Sequence, residues 1–336
     1  MYRTLILLRY SQIDLCPSLS LKYLPVQPSV RSSTHRPRRR LVHQDARPHS
    51  RHAKATAVSF QIVSDLHLES RLGDNENPDS YRLYDIAPRA PYLALLGDIG
   101  CTRDTKGYLG FLRRHLMRFR IVFLVMGNHE PYHSTWASSR AVLRGFEVQI
   151  RDERAQEQQQ SYTIYPSRNT TSSSSPSVAQ GEESVTILGC TLFSHVPLRA
   201  TEDVSRGLAD FHLTGDGWDV YEHKLAFARD IRWLDDQKKG GSGSQHVSRG
   251  ARLAAGFATD LRTRSCLGIC AAAVEEASSA EASPVKLWAF GHTHHNCDFV
   301  DAATGIRFLA NQKGYFHRPS TGDEGLQYDA QKVVGI

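Results

Sequence analysis

The chain has 336 residues, 40% of them hydrophobic and 23% charged, the balance of a soluble globular protein with one large domain or two ordinary ones. That balance excludes collagen, a coiled coil and wholesale disorder, and no stretch approaches the roughly 20 apolar residues a membrane helix needs. The formal charge of +6 is unevenly spread: residues 1–57 hold eleven Lys and Arg against Asp14 and Asp45, a net of +9, and the other 279 residues carry −3, so the body excludes a broad basic nucleic-acid surface.

The apolar run Leu5–Leu8 is cut off by Arg9, so no secretory signal is expected. The six cysteines are scattered without a C-x-x-C pair, which points to free thiols in a reducing compartment. Residues 1–57 lack a hydrophobic period, are punctuated by prolines and contain the run Arg36–Arg40. They read as a disordered basic extension that the fold can spare. Cytoplasmic location is the expectation. A transit peptide, a nuclear signal or a nucleic-acid arm are alternative readings of the same composition.

Val58–Ser64 reads as a short buried strand, and the β-rich runs Tyr92–Leu96 and Ile121–Met126 follow it. Between the last two, Tyr108, Leu109, Leu112, Leu116 and Phe119 recur at helical spacing with Arg113, Arg114 and Arg118 opposite. Strand, helix, strand with short loops is the mark of an α/β unit with parallel strands. A second helix is expected over about Ser134–Arg144. Residues 151–183, with glutamine and serine runs, read as a low-complexity surface insertion. A strand over Val185–Phe193, an amphipathic helix over about Val220–Leu234 and a Gly/Ser loop at Gln237–Gly250 come next. A short helix near Leu253–Leu261 and strands at Val285–Phe290, Asp298–Val300 and Ile306–Leu309 complete the pattern.

Four polar clusters end successive strands: Asp65-Leu66-His67, Gly97-Asp98, Gly127-Asn128-His129-Glu130 and Gly291-His292-Thr293-His294. Ligands bind at the carboxyl ends of strands in open α/β sheets, so the four should converge on one site. Carboxylate, imidazole and amide oxygen suit Mn, Fe or Zn, and no cysteine takes part. Alternation in Asp-x-His should set both side chains on one side of an extended segment, and His292 and His294 repeat the spacing.

These clusters, in this order, resemble the signature of the calcineurin-like metallophosphoesterases. The resemblance covers roughly residues 58–336 apart from the insertion. It implies a four-layer αββα sandwich of the metallo-dependent phosphatase type, with residues 58–336 as the phosphoesterase domain. By carry-over, Asp65, His67, Asp98 and His294 would hold one metal, and Asp98, Asn128 and His292 a second. His129 would be the catalytic histidine, with Glu130 as a candidate to orient it. The two ions, divalent or trivalent, would be Mn, Fe or Zn. After Gly97-Asp98 the chain reads Ile99-Gly100-Cys101-Thr102, where protein Ser/Thr phosphatases have Gly-Asp-x-Val-Asp-Arg-Gly. This points to the fungal and bacterial type of phosphoesterase.

The family also brings a further strand-end histidine to the second metal, after the helix ending in Trp-Leu. Here Trp233-Leu234 runs into the Gly/Ser loop instead, leaving His195 and His246 as candidate substitutes. The implied activity is metal-dependent hydrolysis of a small-molecule phosphoester, monoester or diester. An alternative is a weak or inactive binding module with the same fold, as in the retromer subunit that shares it.

Overall fold

The computed structural model describes residues 4–8, 19–20, 58–69, 80–163, 186–236, 285–302, 304–315 and 318–336. His246, the expected loop at 237–250, the expected helix near 253–261 and residues 164–183 of the expected insertion lie outside them.

The expected strands β3 (Ser59–Val63), β4 (Tyr92–Leu96) and β5 (Ile121–Val125) pair in parallel, in that order. All three are buried over nearly their whole length, which is why β4 and β5 read as continuous apolar runs and not as alternation, while β3 is broken only by the buried Gln61. The sheet is closed on its β3 side by antiparallel β13 (Val333–Gly335). On its β5 side it is closed by β2 (Leu19–Ser20). Between β4 and β5 runs α2 (Thr105–Leu116), started by Asp104, whose Oδ1 accepts from the Gly107 amide at 2.9 Å.

A second sheet has the order β12-β8-β9-β7-β1-β6. Its members are β1 (Thr4–Leu8), β6 (Thr186–Cys190), β7 (Val285–Phe290), β8 (His295–Val300), β9 (Arg307–Ala310) and β12 (Thr321–Gly322). A hairpin of β10 (Gly314–Tyr315) and β11 (Arg318–Pro319) stands beside it. Within the extension expected to lack regular structure, the backbone of Thr4–Leu8 is thus an inner strand, antiparallel to both β6 and β7, and Leu19–Ser20 is an edge strand of the first sheet.

Alternate residues of the two sheets meet face to face. Phe60, Ile62, Ala94, Leu96, Phe123 and Val125 pack on Leu287, Ala289 and Leu309. On the outer side of the first sheet, Leu93, Leu95, Val122 and Leu124 join Tyr108, Phe111 and Leu112 of α2 and Leu143, Phe146 and Ile150 of α3 (Trp136–Thr163). On the outer side of the second, Leu188 and Trp288 join Ala226, Phe227, Ile231 and Leu234 of α6 (Val220–Asp236). The result is the expected four-layer αββα sandwich. The short helices α1 (Ser80–Leu83), α4 (Thr201–Gly207) and α5 (Asp210–Leu213) lie in the connections.

Helix α3 corrects one boundary: it was expected to end near Arg144 and runs on to Thr163, into the expected insertion. Its added turns bury Phe146 and Ile150 and are held on their polar side by ion pairs. Arg151 meets Glu147 at 2.7 Å one turn away, and Glu153 meets Arg113 of α2 at 2.5 Å. Among the described residues no helix is long and apolar enough to cross a membrane.

Candidate metal centre

Four loops, after β3, β4, β5 and β7, bring their polar clusters to one end of the sandwich. Parallel pairing of β3, β4 and β5 aligns three of them, and backbone ties complete the alignment. The Asp65 amide donates to the Gly97 carbonyl at 3.0 Å and the His67 amide to the Asp98 carbonyl at 2.9 Å. The fourth loop docks through the His292 amide, which lies 3.1 and 3.0 Å from the two carboxylate oxygens of Asp65. Gly291 permits this approach, since a Cβ there would sit 2.6 Å from Asp65 Oδ2 and 2.9 Å from the Leu96 carbonyl. Gln312 fixes the same loop, accepting from the His294 amide at 2.8 Å and donating to the His295 carbonyl at 2.7 Å.

The backbone here departs from the expected extended alternation. Asp65, His67, Asp98, His292 and His294 have φ values of 52, 47, 49, 84 and 52°. Asp65 and His67 therefore converge because the chain curls left-handed over the end of β3, held there by the β4 loop, and not because a strand alternates. Such residues cost about 1–3 kcal/mol each and gather where function requires them.

Two sets of potential ligand atoms result, each within 4.8 Å: Asp65, His67 and His294, and His67, Asp98 and His129. Within the first, His67 Nε2 is 3.0 Å from His294 Nε2, and His294 Nε2 is 3.5 Å from Asp65 Oδ1. Asp65, His67, Asp98 and Asn128 are buried, whereas His292 and His294 are half-exposed. His292 joins the site through its amide on Asp65, and its ring belongs to neither set. Burial lowers the pKa of His67, against a hydrogen bond to Glu69 and the charge of Asp98, which favours the neutral ring that metal ligation needs.

Around this set stand residues that sequence reasoning did not single out. Glu69 Oε1 lies 2.7 Å from His129 Nδ1 and 3.3 Å from His67 Nδ1. Burial works to raise the Glu69 carboxyl, but the hydrogen bonds from His129 and His67 overcome it and hold its pKa well below the usual carboxylate range. The hydroxyl of Tyr315 is 3.0 Å from His129 Nε2, and its ring stacks on His67 with centroids 4.1 Å apart. Asn128 Nδ2 donates to Asp210 Oδ1 at 2.7 Å and to the Tyr132 hydroxyl at 2.8 Å. Glu69 could have been picked out by extending Asp-x-His by two residues, while Asp210 and Tyr315 carry no local signal.

Glu130 has a different place from the one expected. Its carboxylate accepts from the backbone amides of Gly127, Asp98 and Ile99 and from the Tyr108 hydroxyl. It ties the β4 and β5 loops together, and Glu69, not Glu130, holds the His129 ring. Of the two candidate substitutes for the further ligand, His195 is half-buried and packs edge-on against Phe227 of α6, ring centroids 5.6 Å apart.

Buried carboxylates, a neutral imidazole and an amide converging at one strand end form a donor set that fits hard or borderline cations. A family model for the calcineurin-like phosphoesterases matches residues 59–296. No curated protein and no solved structure matches the chain.

Proposed function

The chain belongs to the calcineurin-like phosphoesterase family, and we propose that it hydrolyses a small-molecule phosphoester at a dinuclear metal centre. The observation that carries this reading is the convergence of Asp65, His67, Asp98, His129 and His294 from four separate loops into two overlapping sets of ligand atoms. Asp65, His67, Asp98 and His294 would hold the first ion, and Asp98, Asn128 and His292 the second, with Mn, Fe or Zn as candidates. Ions held by such a set act as Lewis acids toward water and phosphoryl oxygens.

His129 is the proton donor to the leaving oxygen. Its Nδ1 faces Glu69, which leaves Nε2 as the nitrogen that can deliver a proton. The Tyr315 hydroxyl, 3.0 Å from Nε2, stands where the leaving oxygen would accept. With both ring nitrogens so engaged, His129 serves chemistry and not ligation, although it lies within ligand distance of His67 and Asp98. The Ile99-Gly100-Cys101-Thr102 segment supports a reading outside the protein Ser/Thr phosphatases, since Thr102 stands where that branch has an arginine.

The test is a panel of chromogenic phosphomonoesters and diesters, assayed with added Mn and after chelation. Mn-dependent turnover that Asp98→Asn abolishes supports the proposal. Stoichiometric metal binding without turnover of any ester would replace it with the binding-module reading.

A further inference from the structure

Asp210 lies outside every strand-end motif, at the first turn of α5, yet it is 4% exposed and reaches the metal centre. Its Oδ1 accepts from Asn128 Nδ2 at 2.7 Å and from the Tyr132 hydroxyl at 2.6 Å, while the same Nδ2 lies 2.8 Å from that hydroxyl oxygen. These three groups close a triangle. Two backbone bonds fix its corners: the His133 amide donates to the Leu213 carbonyl at 2.6 Å, and the Gly215 amide to the Ser134 carbonyl at 2.7 Å. The loop after β5 and helix α5 are thus clamped on both sides of the triangle.

We infer that Asp210, acting with Tyr132, is a positioning residue that sets the Asn128 amide with its nitrogen inward and its oxygen toward the second ion. The inference rests on the dinuclear reading above. An asparagine amide has two ends of nearly equal shape and opposite chemistry, and only the oxygen can bind a cation. Left alone, it would populate both orientations.

A carboxylate accepts only, and the Tyr132 hydroxyl has its proton committed to Asp210, so both groups present lone pairs to Asn128. An inverted amide would set its oxygen against two acceptors at under 3 Å. The energetic cost of choosing the orientation is met on folding and not on metal binding, which is the meaning of preorganisation at such a site. The role also accounts for a carboxylate at this position: Asp210 Oδ2 is buried without a hydrogen-bond partner, a cost that a residue serving only to pack α5 would not carry.

Mn(II) titration of the full chain, followed by electron paramagnetic resonance to separate the first ion from the spin-coupled pair, tests the inference. Asp210→Ala is expected to weaken the second ion by about 10- to 100-fold, the range for lost outer-shell partners of a ligand. The first ion should keep its affinity. Asp210→Asn, which still offers an oxygen to Asn128, should restore the second ion to within about threefold of the wild type. Tyr132→Phe removes one acceptor without opening a cavity and should give an intermediate loss.

Wild-type affinities for both ions in Asp210→Ala and Tyr132→Phe would overturn the inference, as would equal weakening of both ions in Tyr132→Phe. A wild-type protein that takes up only one ion would overturn the dinuclear reading itself, and this inference with it.

Discussion

The Glu69 carboxylate stands 2.7 Å from Nδ1 of His129, two residues along the chain from the metal-ligand candidate His67 and on the far side of its ring from His294. One acid therefore braces two imidazoles of different duty. Acceptance at Nδ1 sets the tautomer of His129 and stabilises the cation it must be in order to donate a proton.

Glu69→Ala should then lower kcat by about 10- to 100-fold at saturating Mn, with the first ion weakened by the lost contact to His67. The loss should grow as the leaving group becomes poorer, because poor leaving groups depend more on protonation. Rates across a series of aryl phosphates measure this, and a loss that is flat across the series would remove Glu69 from the proton path.

Glu130, next to His129 in sequence, should behave in the opposite way. Three backbone amides and a phenol point at one buried carboxylate. Truncation in Glu130→Ala strands these donors at about 1–3 kcal/mol each, a loss of several kcal/mol in all. Thermal denaturation of the metal-free protein should show a large fall in Tm for Glu130→Ala and little change for Glu69→Ala. Similar melting temperatures would return Glu130 to the role of orienting acid.

The difference between these two glutamates shows what a linear reading can reach. Strands β4 and β5 were legible because strands buried on both faces are unbroken apolar runs, β3 and β7 because one polar residue alone, Gln61 or Lys286, interrupts theirs, and the four clusters were legible because each follows such a run. Roles that depend on distant partners were not. Glu69 meets His129 across 60 residues, Asp210 meets Asn128 across 82 and Tyr315 meets His129 across 186. Nothing local marks Asp210 or Tyr315, and only its place two residues after His67 marks Glu69. The polar end of α3 was missed for another reason: beyond Ile150 ion pairs and not an apolar stripe hold it, so hydrophobic periodicity carries no trace of that part.

Asp98 is assigned to both ions, so Asp98→Asn should lose the two together. Its Oδ1 also accepts from the His129 amide at 2.8 Å, and an asparagine oxygen can keep that bond. The fold should therefore survive. Elemental analysis of the purified variant checks the assignment, and one retained ion would show that Asp98 does not bridge.

Asp230 of α6 gives a prediction in pH. Burial raises its carboxyl from 3.8 to about 6, against the backbone amides of Leu192 and Phe193, the first of which donates to it at 2.9 Å. The folded state thus holds the proton more tightly than the unfolded chain. Stability from this group is greatest below pH 3.8, falls as pH rises through about 6, and is constant above. The expected change is about 1–3 kcal/mol. Asp230→Asn removes it, so urea denaturation should show the variant gaining on the wild type between pH 4.5 and 7. A constant difference between the two proteins over that range would contradict the assignment.

Strand β1 alters what the basic extension is expected to do. Composition alone makes residues 1–57 dispensable, but Thr4–Leu8 pairs along its whole length with β6 on one side and β7 on the other, and Thr4 lies opposite Phe290, next to the Gly291-His292 loop. Removing an inner strand separates β6 from β7 and leaves two rows of backbone donors and acceptors unmatched. At a net of about 0.5–1.5 kcal/mol per hydrogen bond the loss is several kcal/mol, enough to lower Tm by about 10 °C or more in a chain of this size. Because the loop that β7 leads into carries His292 and His294, metal affinity should fall as well. Deletion of residues 1–9 is the decisive variant, with deletion of residues 30–50, which leaves enough chain to join β2 to β3, as its control. A melting temperature and Mn affinity unchanged by the shorter deletion would show that the second sheet closes without β1.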